Sequence, residues 1–208
     1  MSGSTRRGAA IFALLLLAAV HIQPSAQEIP KNLTKEDLAK NNKLFIELAT
    51  KALHWDEPTD PVKIVGPLYF VGTRGLGAYV FATSDGLILF NTGTPKSGPV
   101  IAASIKTLGF KPEDIKIIIN GHGHSDHFGA GAYMKSLSKA QVAIMEGDVA
   151  LVEDGGKSDF HYGNDWQIMG QPPVRVDRIL RDGDTVKLGD VVLTGSTRRV
   201  IPEARLPG

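Results

Sequence analysis

Residues 120–131 read NGHGHSDHFGAG and place three histidines and an aspartate, His122, His124, Asp126 and His127, within six consecutive positions. The sequence holds six histidines in all, so half of them fall in this one stretch. Imidazole and carboxylate together are preferred ligands of a borderline cation such as zinc. His122 and His124 are two apart, so in an extended segment both rings point to the same side and can converge on one cation. Asp126 and His127 follow where the chain must turn, project differently, and can serve a second cation nearby. Glycines at 121, 123, 129 and 131 let the backbone bend tightly and approach an ion closely. The competing reading is a polar turn whose histidines are only hydrogen-bonded. Four ligand-type side chains at one strand end are a more specific signal than any single pair, and titratable groups seldom cluster so without a role.

Other chemistries are excluded or unsignalled. Cysteine is absent, which rules out disulfides, thiol catalysis and thiolate metal sites. No Gly-x-Ser-x-Gly announces a serine nucleophile. Gly72, Gly75 and Gly77 are read as turn glycines, because no Gly-Lys-Ser/Thr follows them to complete a phosphate loop.

The elements that must position the cluster are visible on both sides of it. IKIIIN, residues 115–120, predicts a buried strand that ends directly at the histidines. SGPVIAASIKTLGF before it predicts a helix stopped near Gly109; AGAYMKSLS and QVAIM after it predict a helix and a strand. Upstream, VKIVGPLYFVG and GAYVFATSDGLILFNTG alternate with period two, and Asp85-Gly86 predicts a hairpin turn. Residues 33–53 predict an amphipathic helix with Thr34 as N-cap, Asp37 three residues on, and Leu38, Phe45 and Leu48 sharing a face. The polar loop 154–173 is followed by three short predicted strands in VRVDRIL, TVKL and VVLT. Strands with intervening helices make the class α/β, with ligands expected beyond the C-terminal ends of the strands. Within the loop, His161 either reaches the pocket mouth or is a surface histidine bonded to its neighbours. Tyr162 and Trp166 either line a cleft or pin the loop to the core, and His54-Trp55 is read as packing an indole ahead of the first strand.

At the N-terminus, Arg6 and Arg7 precede an apolar run, Ala9 to Val20, and Ala26 offers a cleavage point. That run is 12 residues long, short of the ~20 that span a bilayer, so an export signal is expected and a retained anchor is the alternative. The mature protein is then periplasmic or secreted and has no membrane partner. Net charge is +1, from 23 basic and 22 acidic residues that are well mixed, so there is no electrostatic footprint for nucleic acid. A small-molecule substrate is the expected partner; the oligomeric state is not readable from the residues. The expected layout is residues 1–26 signal peptide, 27–54 helical extension, 55–194 one domain, and 195–208 a tail of different texture.

His-x-His-x-Asp-His after a hydrophobic strand resembles the signature of the metallo-β-lactamase superfamily. The likeness extends through LILFNTG, SDFHYGND and VDRILRDGDTVKLGDVVLT, from about Trp55 to Thr194. With an export signal, no cysteine and histidine after Asp126, the chain is most similar to the B3 subclass of secreted metallo-β-lactamases. The resemblance implies an αββα sandwich, here the first half plus the opening strands of the second. It implies two zinc ions, one on His122 and His124 and one on Asp126 and His127, each with a further late histidine. Asp126 is the candidate catalytic residue. The implied reaction is hydrolysis of the β-lactam amide by a metal-held hydroxide, from water whose pKa is lowered to about 7. A lactonase or glyoxalase-type thioesterase of the same superfamily is the alternative, because kinship of fold does not name a substrate. Two positions depart from the family pattern: Asn91 stands where an aspartate is usual, and Gly121 where a hydroxyl residue is usual. Both are expected to loosen the orientation of a ligand rather than remove one.

After VVLT the residues GSTRRVIPEARLPG lose periodicity, and no histidine follows His161. The family would continue with Thr-Pro-Gly-His-Thr-x-Gly, which carries a late zinc histidine. Codons for Thr197 to Ala204, read from the third base of the Thr197 codon, can encode Thr, Pro, Gly, His, Thr, Arg, Gly. One lost base explains both the displaced motif and the short spacing, so a frameshift is expected, along with impaired or absent activity in the chain as written. The sheet face formed partly by YVFAT and LILF is expected to lack its cover and to make the chain poorly soluble.

Overall fold

The computed structural model describes residues 34–160 and 162–196. The expected export segment, His161 and the tail from residue 197 lie outside the described residues. Helix α1, Lys35–Ala52, opens with the anticipated capping box: the Asp37 N–H donates to Thr34 Oγ1 and the Thr34 N–H to Asp37 Oδ2, both at 3.1 Å. Three of its apolar side chains, Leu44, Phe45 and Leu48, are each more than half exposed.

Strands β1 (Val62–Val65), β2 (Leu68–Phe70), β3 (Tyr79–Thr83) and β4 (Gly86–Phe90) form an antiparallel meander. The β3–β4 hairpin turns one residue earlier than Asp85-Gly86 suggests. Thr83 pairs with Gly86, so Ser84 and Asp85 make the turn and Gly86, at φ +129°, starts the strand. A Cβ there would lie 2.7 Å from the Asp114 carbonyl oxygen, so the glycine serves packing as well as the backbone angle. Gly75 does lie in a turn, which the Thr73 N–H closes by donating to the Leu76 carbonyl at 3.1 Å. It has no positive φ; a Cβ on it would sit 1.8 Å from the Leu53 carbonyl oxygen, so it lets the segment ahead of β3 lie against the end of α1.

The chain then alternates: α2 (Ser97–Thr107), β5 (Ile115–Ile119), α3 (Ser125–Phe128), α4 (Gly131–Ser138), β6 (Gln141–Met145), α5 (Val149–Asp154), α6 (Trp166–Met169) and β7 (Arg178–Leu180). Strands β4 to β7 are parallel, and the seven strands lie side by side in chain order. The VRVDRIL strand is confined to Arg178–Leu180 and extends this first sheet. Among the described residues only β8 (Thr185–Leu188) and β9 (Val191–Thr194) stand apart, as an antiparallel pair. The architecture is α/β, as expected.

Each sheet face has its own core. Val80, Leu87, Leu89, Ile115, Ile118, Val142 and Ile144 pack with Ile101, Ile105 and Met134 of α2 and α4. On the other face Ile88, Ile117, Ile119, Ala143 and Leu180 pack with Val186 and Val191 of the β8–β9 pair. The face expected to be bare is therefore partly covered. Ile88 is fully buried, and the residual opening is a groove of about 350 Å³ bordered by Phe81, Phe90, Met145 and Leu193. No helix among the described residues is long and apolar enough to cross a membrane.

Candidate metal centre

The buried strand β5 delivers the chain to the sheet's C-terminal edge, where Asn120 and Gly121 lead into the histidines. The tip of β4 braces this loop. The Asn91 N–H donates to the Ile119 carbonyl (2.9 Å) and the Thr92 N–H to the His127 carbonyl (2.7 Å). His124 is the extended N-cap of α3, and its carbonyl accepts from the His127 and Phe128 N–H groups at 3.0 and 2.8 Å. Phe128, fully buried, anchors the turn from below. Gln171 holds it from the long loop, donating from Nε2 to the Gly123 carbonyl at 2.9 Å.

Three of the four expected ligand residues converge. His122, Asp126 and His127 each offer one ligand atom, all within 4.8 Å of one another. The His122 and His127 rings are 3.9 Å apart between centroids, and His127 Nε2 is 3.4 Å from Asp126 Oδ2. Ligands about 2.1 Å from one tetrahedral ion lie about 3.4 Å from each other, so these atoms need close by only about 1.4 Å at most, within the reach of side-chain rotation. Two nitrogens and an oxygen, with water in a fourth position, are a donor set suited to catalytic zinc. The residues fit the metal.

His124 stands edge-on to His122, with centroids 4.8 Å apart, and is not one of the three. Its Nε2 is 2.7 Å from Asp159 Oδ2, whose side chain is 5% exposed. A histidine that donates one ring N–H to a carboxylate keeps its other nitrogen as a lone pair of raised basicity, the usual support for a metal ligand. Asp159 also accepts the Tyr162 N–H through Oδ1 at 2.6 Å, so it ties the long loop to the cluster. Nothing in its local sequence singles it out, beyond its place in SDFHYGND.

Electrostatics favour an uncharged ring at His122. Burial, then the neighbouring His127 and His124, push His122 below the ordinary histidine range, against the opposing pull of Asp126. Asp148 is another residue that sequence reasoning passed over. Burial raises its carboxyl above the usual value, against the lowering effects of His124 and the Gly123 N–H.

Beside the cluster lies a cleft of about 200 Å³, walled by Phe45, Trp55, His124, Asp126, Asp159 and Tyr162. Tyr162 and Trp166 of the long loop thus divide their roles: Tyr162 lines the cleft, while Lys157 Nζ lies 4.5 Å from the Trp166 ring centroid. Trp55, read as simple packing, also faces the cleft. His54 lies away from the three clustered donors and is paired with Glu57 at 2.6 Å.

Residues 77–207 match the family model for the metallo-beta-lactamase superfamily. Among solved structures, the chain is 43% identical to the native FEZ-1 metallo-beta-lactamase from Legionella gormanii, covering 67% of this chain and 53% of that one, with a TM-score of 0.66. It is 40% identical to the class B3 di-zinc metallo-beta-lactamase LRA-12 from an Alaskan soil metagenome, over 67% and 52% of the two chains at a TM-score of 0.64. It is 39% identical to BJP-1, a subclass B3 metallo-beta-lactamase of Bradyrhizobium japonicum, over 68% and 53% at a TM-score of 0.62. The chain spans about half the length of these structures. With its signature cluster at the end of β5 and a family match over more than half its length, the chain belongs to the metallo-beta-lactamase superfamily.

Proposed function

We propose that this protein is an exported, zinc-dependent β-lactamase of the B3 type, with His122, His124, Asp126 and His127 as zinc ligands. The observation that carries the reading is the convergence of His122, Asp126 and His127 within 4.8 Å, beside an aromatic-walled cleft. The likeness to a di-zinc and to a second subclass B3 metallo-beta-lactamase supports both the metal and the substrate class. The chemistry that zinc supplies in such a site is a water acidified to a pKa near 7 and stabilisation of negative charge on the attacked carbonyl.

The protein's own groups do the rest. Hydrolysis adds oxygen to the lactam carbonyl carbon, breaks the C–N bond and puts a proton on the departing nitrogen. Asp126 lines the cleft and is the carboxylate placed to hold the proton taken from water. His122, kept neutral by burial, offers its lone pair without first shedding a proton. Asp159 orients His124, and Trp55 and Tyr162 give the substrate flat apolar walls.

Catalytic zinc takes three protein ligands and a water, so two full sites need six donors where the cluster has four. The remaining histidines of the sequence are His21, His54 and His161. We therefore propose that these 208 residues hold at most one zinc firmly and turn over β-lactams slowly, and that restoring the reading frame after Thr194 raises both. The test is zinc stoichiometry by native mass spectrometry together with turnover of a penicillin, a carbapenem, a lactone and a glutathione thioester, on both versions. β-Lactam turnover by the frame-restored version is expected. Turnover of the lactone or thioester alone would replace this reading with the other hydrolase class.

A further inference from the structure

Asn91, at the tip of β4 with φ +61°, stands between the histidine loop and the strand beside it. Its Oδ1 accepts from the Gly121 N–H at 2.8 Å. Its Nδ2 donates to the Gly77 carbonyl at 3.2 Å and also lies 3.3 Å from Nδ1 of His127. The two backbone partners determine which end of the amide is which, because the Gly121 N–H can only donate and the Gly77 carbonyl can only accept. The amide NH₂ must therefore face the ring, and its second hydrogen is directed at His127 Nδ1. A ring nitrogen that accepts a hydrogen bond carries no proton, so neutral His127 bears its proton on Nε2. Nε2 is the atom 3.4 Å from Asp126 Oδ2.

We infer that Asn91 holds His127 in the Nε2–H tautomer, so that the nitrogen nearest Asp126 is blocked by a proton. The consequence for metal rests on the proposed role of these side chains as zinc ligands. A cation can take Nε2 only if the proton leaves or moves to Nδ1, and at Nδ1 it would meet the amide NH₂. Turning the amide over gives Nδ1–H an acceptor, but sets Nδ2 against the Gly121 N–H and Oδ1 against the Gly77 carbonyl. Every arrangement with a proton on Nδ1 leaves like groups facing each other in a part-buried site. A carboxylate would accept from Gly121 and from Nδ1–H together. Asn91 is thus a positioning residue that makes His127 the last of the cluster to bind a cation, after His122 and Asp126.

Asn91→Asp tests this, since both side chains tolerate the left-handed backbone of position 91. Long-range proton–nitrogen NMR on the metal-free, ¹⁵N-histidine-labelled chain at pH 8 reads the tautomer directly. His127 is expected as Nε2–H in the native chain and Nδ1–H in the variant. In a zinc titration of the frame-restored protein, the more weakly held zinc is expected to bind at least about 10-fold tighter in Asn91→Asp. Native His127 found as Nδ1–H would overturn the inference, and so would unchanged affinity for that zinc. If the variant fails to fold, the native tautomer alone decides. If neither protein binds zinc, the ligand assignment falls, while the tautomer spectra still judge Asn91.

Discussion

A single carboxylate, Asp159, connects three parts of the site: the His124 ring, the Tyr162 backbone and the cleft wall. Asp159→Asn keeps the shape but removes the charge that holds the His124 proton on Nε2. Zinc retention should fall about 10- to 100-fold, the usual cost of losing a carboxylate behind a ligand, with an unchanged circular dichroism spectrum. Competition with a chromophoric chelator measures it, and equal retention would mean that His124 does not need its partner. His122→Ala removes a donor outright and should cost more than Asp159→Asn in the same assay. The ligand-type residues could be found from sequence because chemistry wrote them side by side. Asp159 could not, since it lies 35 positions from His124 and becomes its neighbour only when the long loop folds back over the cluster.

At the scale of elements, Asp177 shows how the sheet's far edge is fixed. Its Oδ2 accepts from Lys135 Nζ at 2.7 Å and from the Val142 N–H at 2.9 Å, joining α4, β6 and the approach to β7. Burial alone would raise its pKa, but Lys135, the Val142 N–H and Arg175 together outweigh it and the carboxyl lies below its ordinary value of 3.8. A depressed carboxyl contributes stability that is present above the unfolded value and lost as pH falls through the lower folded one. Asp177→Asn should therefore cost about 1–2 kcal/mol in urea unfolding at pH 7, with the gap to native shrinking as pH is taken below 3.8. A pH-independent gap would mean that the bonds matter and the charge does not. Gly75→Ala forces α1 away from the segment before β3 and should cost about 1–3 kcal/mol. Helices and strands were readable here because periodicity and caps are local. The one-residue shift of the β3–β4 turn was not, because what decides it is a carbonyl of Asp114, the residue just ahead of β5.

For the whole molecule, the β8–β9 pair decides how much apolar surface meets water. It buries Val186 and Val191 against the sheet yet leaves the groove beside Phe81, Phe90 and Leu193 open. Val62, Ile64 and Val65 at the β1 edge, with Ile179 and Val192, are also roughly half exposed or more. Edges and patches of this kind promote association. Light scattering should show the chain self-associating with rising concentration, and Leu193→Lys should reduce it; a monodisperse solution at high concentration would contradict this. Sequence patterning anticipated three short strands near the end of the domain. It did not tell that the first would join the parallel sheet and the other two would lie across its face, because that choice depends on which apolar surface is left to cover.

Strand β5 pairs with β4 through Leu87 with Ile115 and then Ile88 with Ile117, so Lys116 is an extra residue with no counterpart across the ladder. That is why Ile115 and Ile118, three apart, share one core while Ile117 and Ile119 share the other. Elsewhere in a strand, loss of one residue turns every later side chain to the opposite face. Here a gene that lost codon 116 would encode a straighter strand with both faces intact and the histidines emerging on their present side. Lys116 is thus a spare count, a position where the lineage can shorten without scrambling the histidine edge, whereas a deletion at Ile117 or Ile118 would keep that edge only by drawing Lys116 into the core beneath the β8–β9 pair.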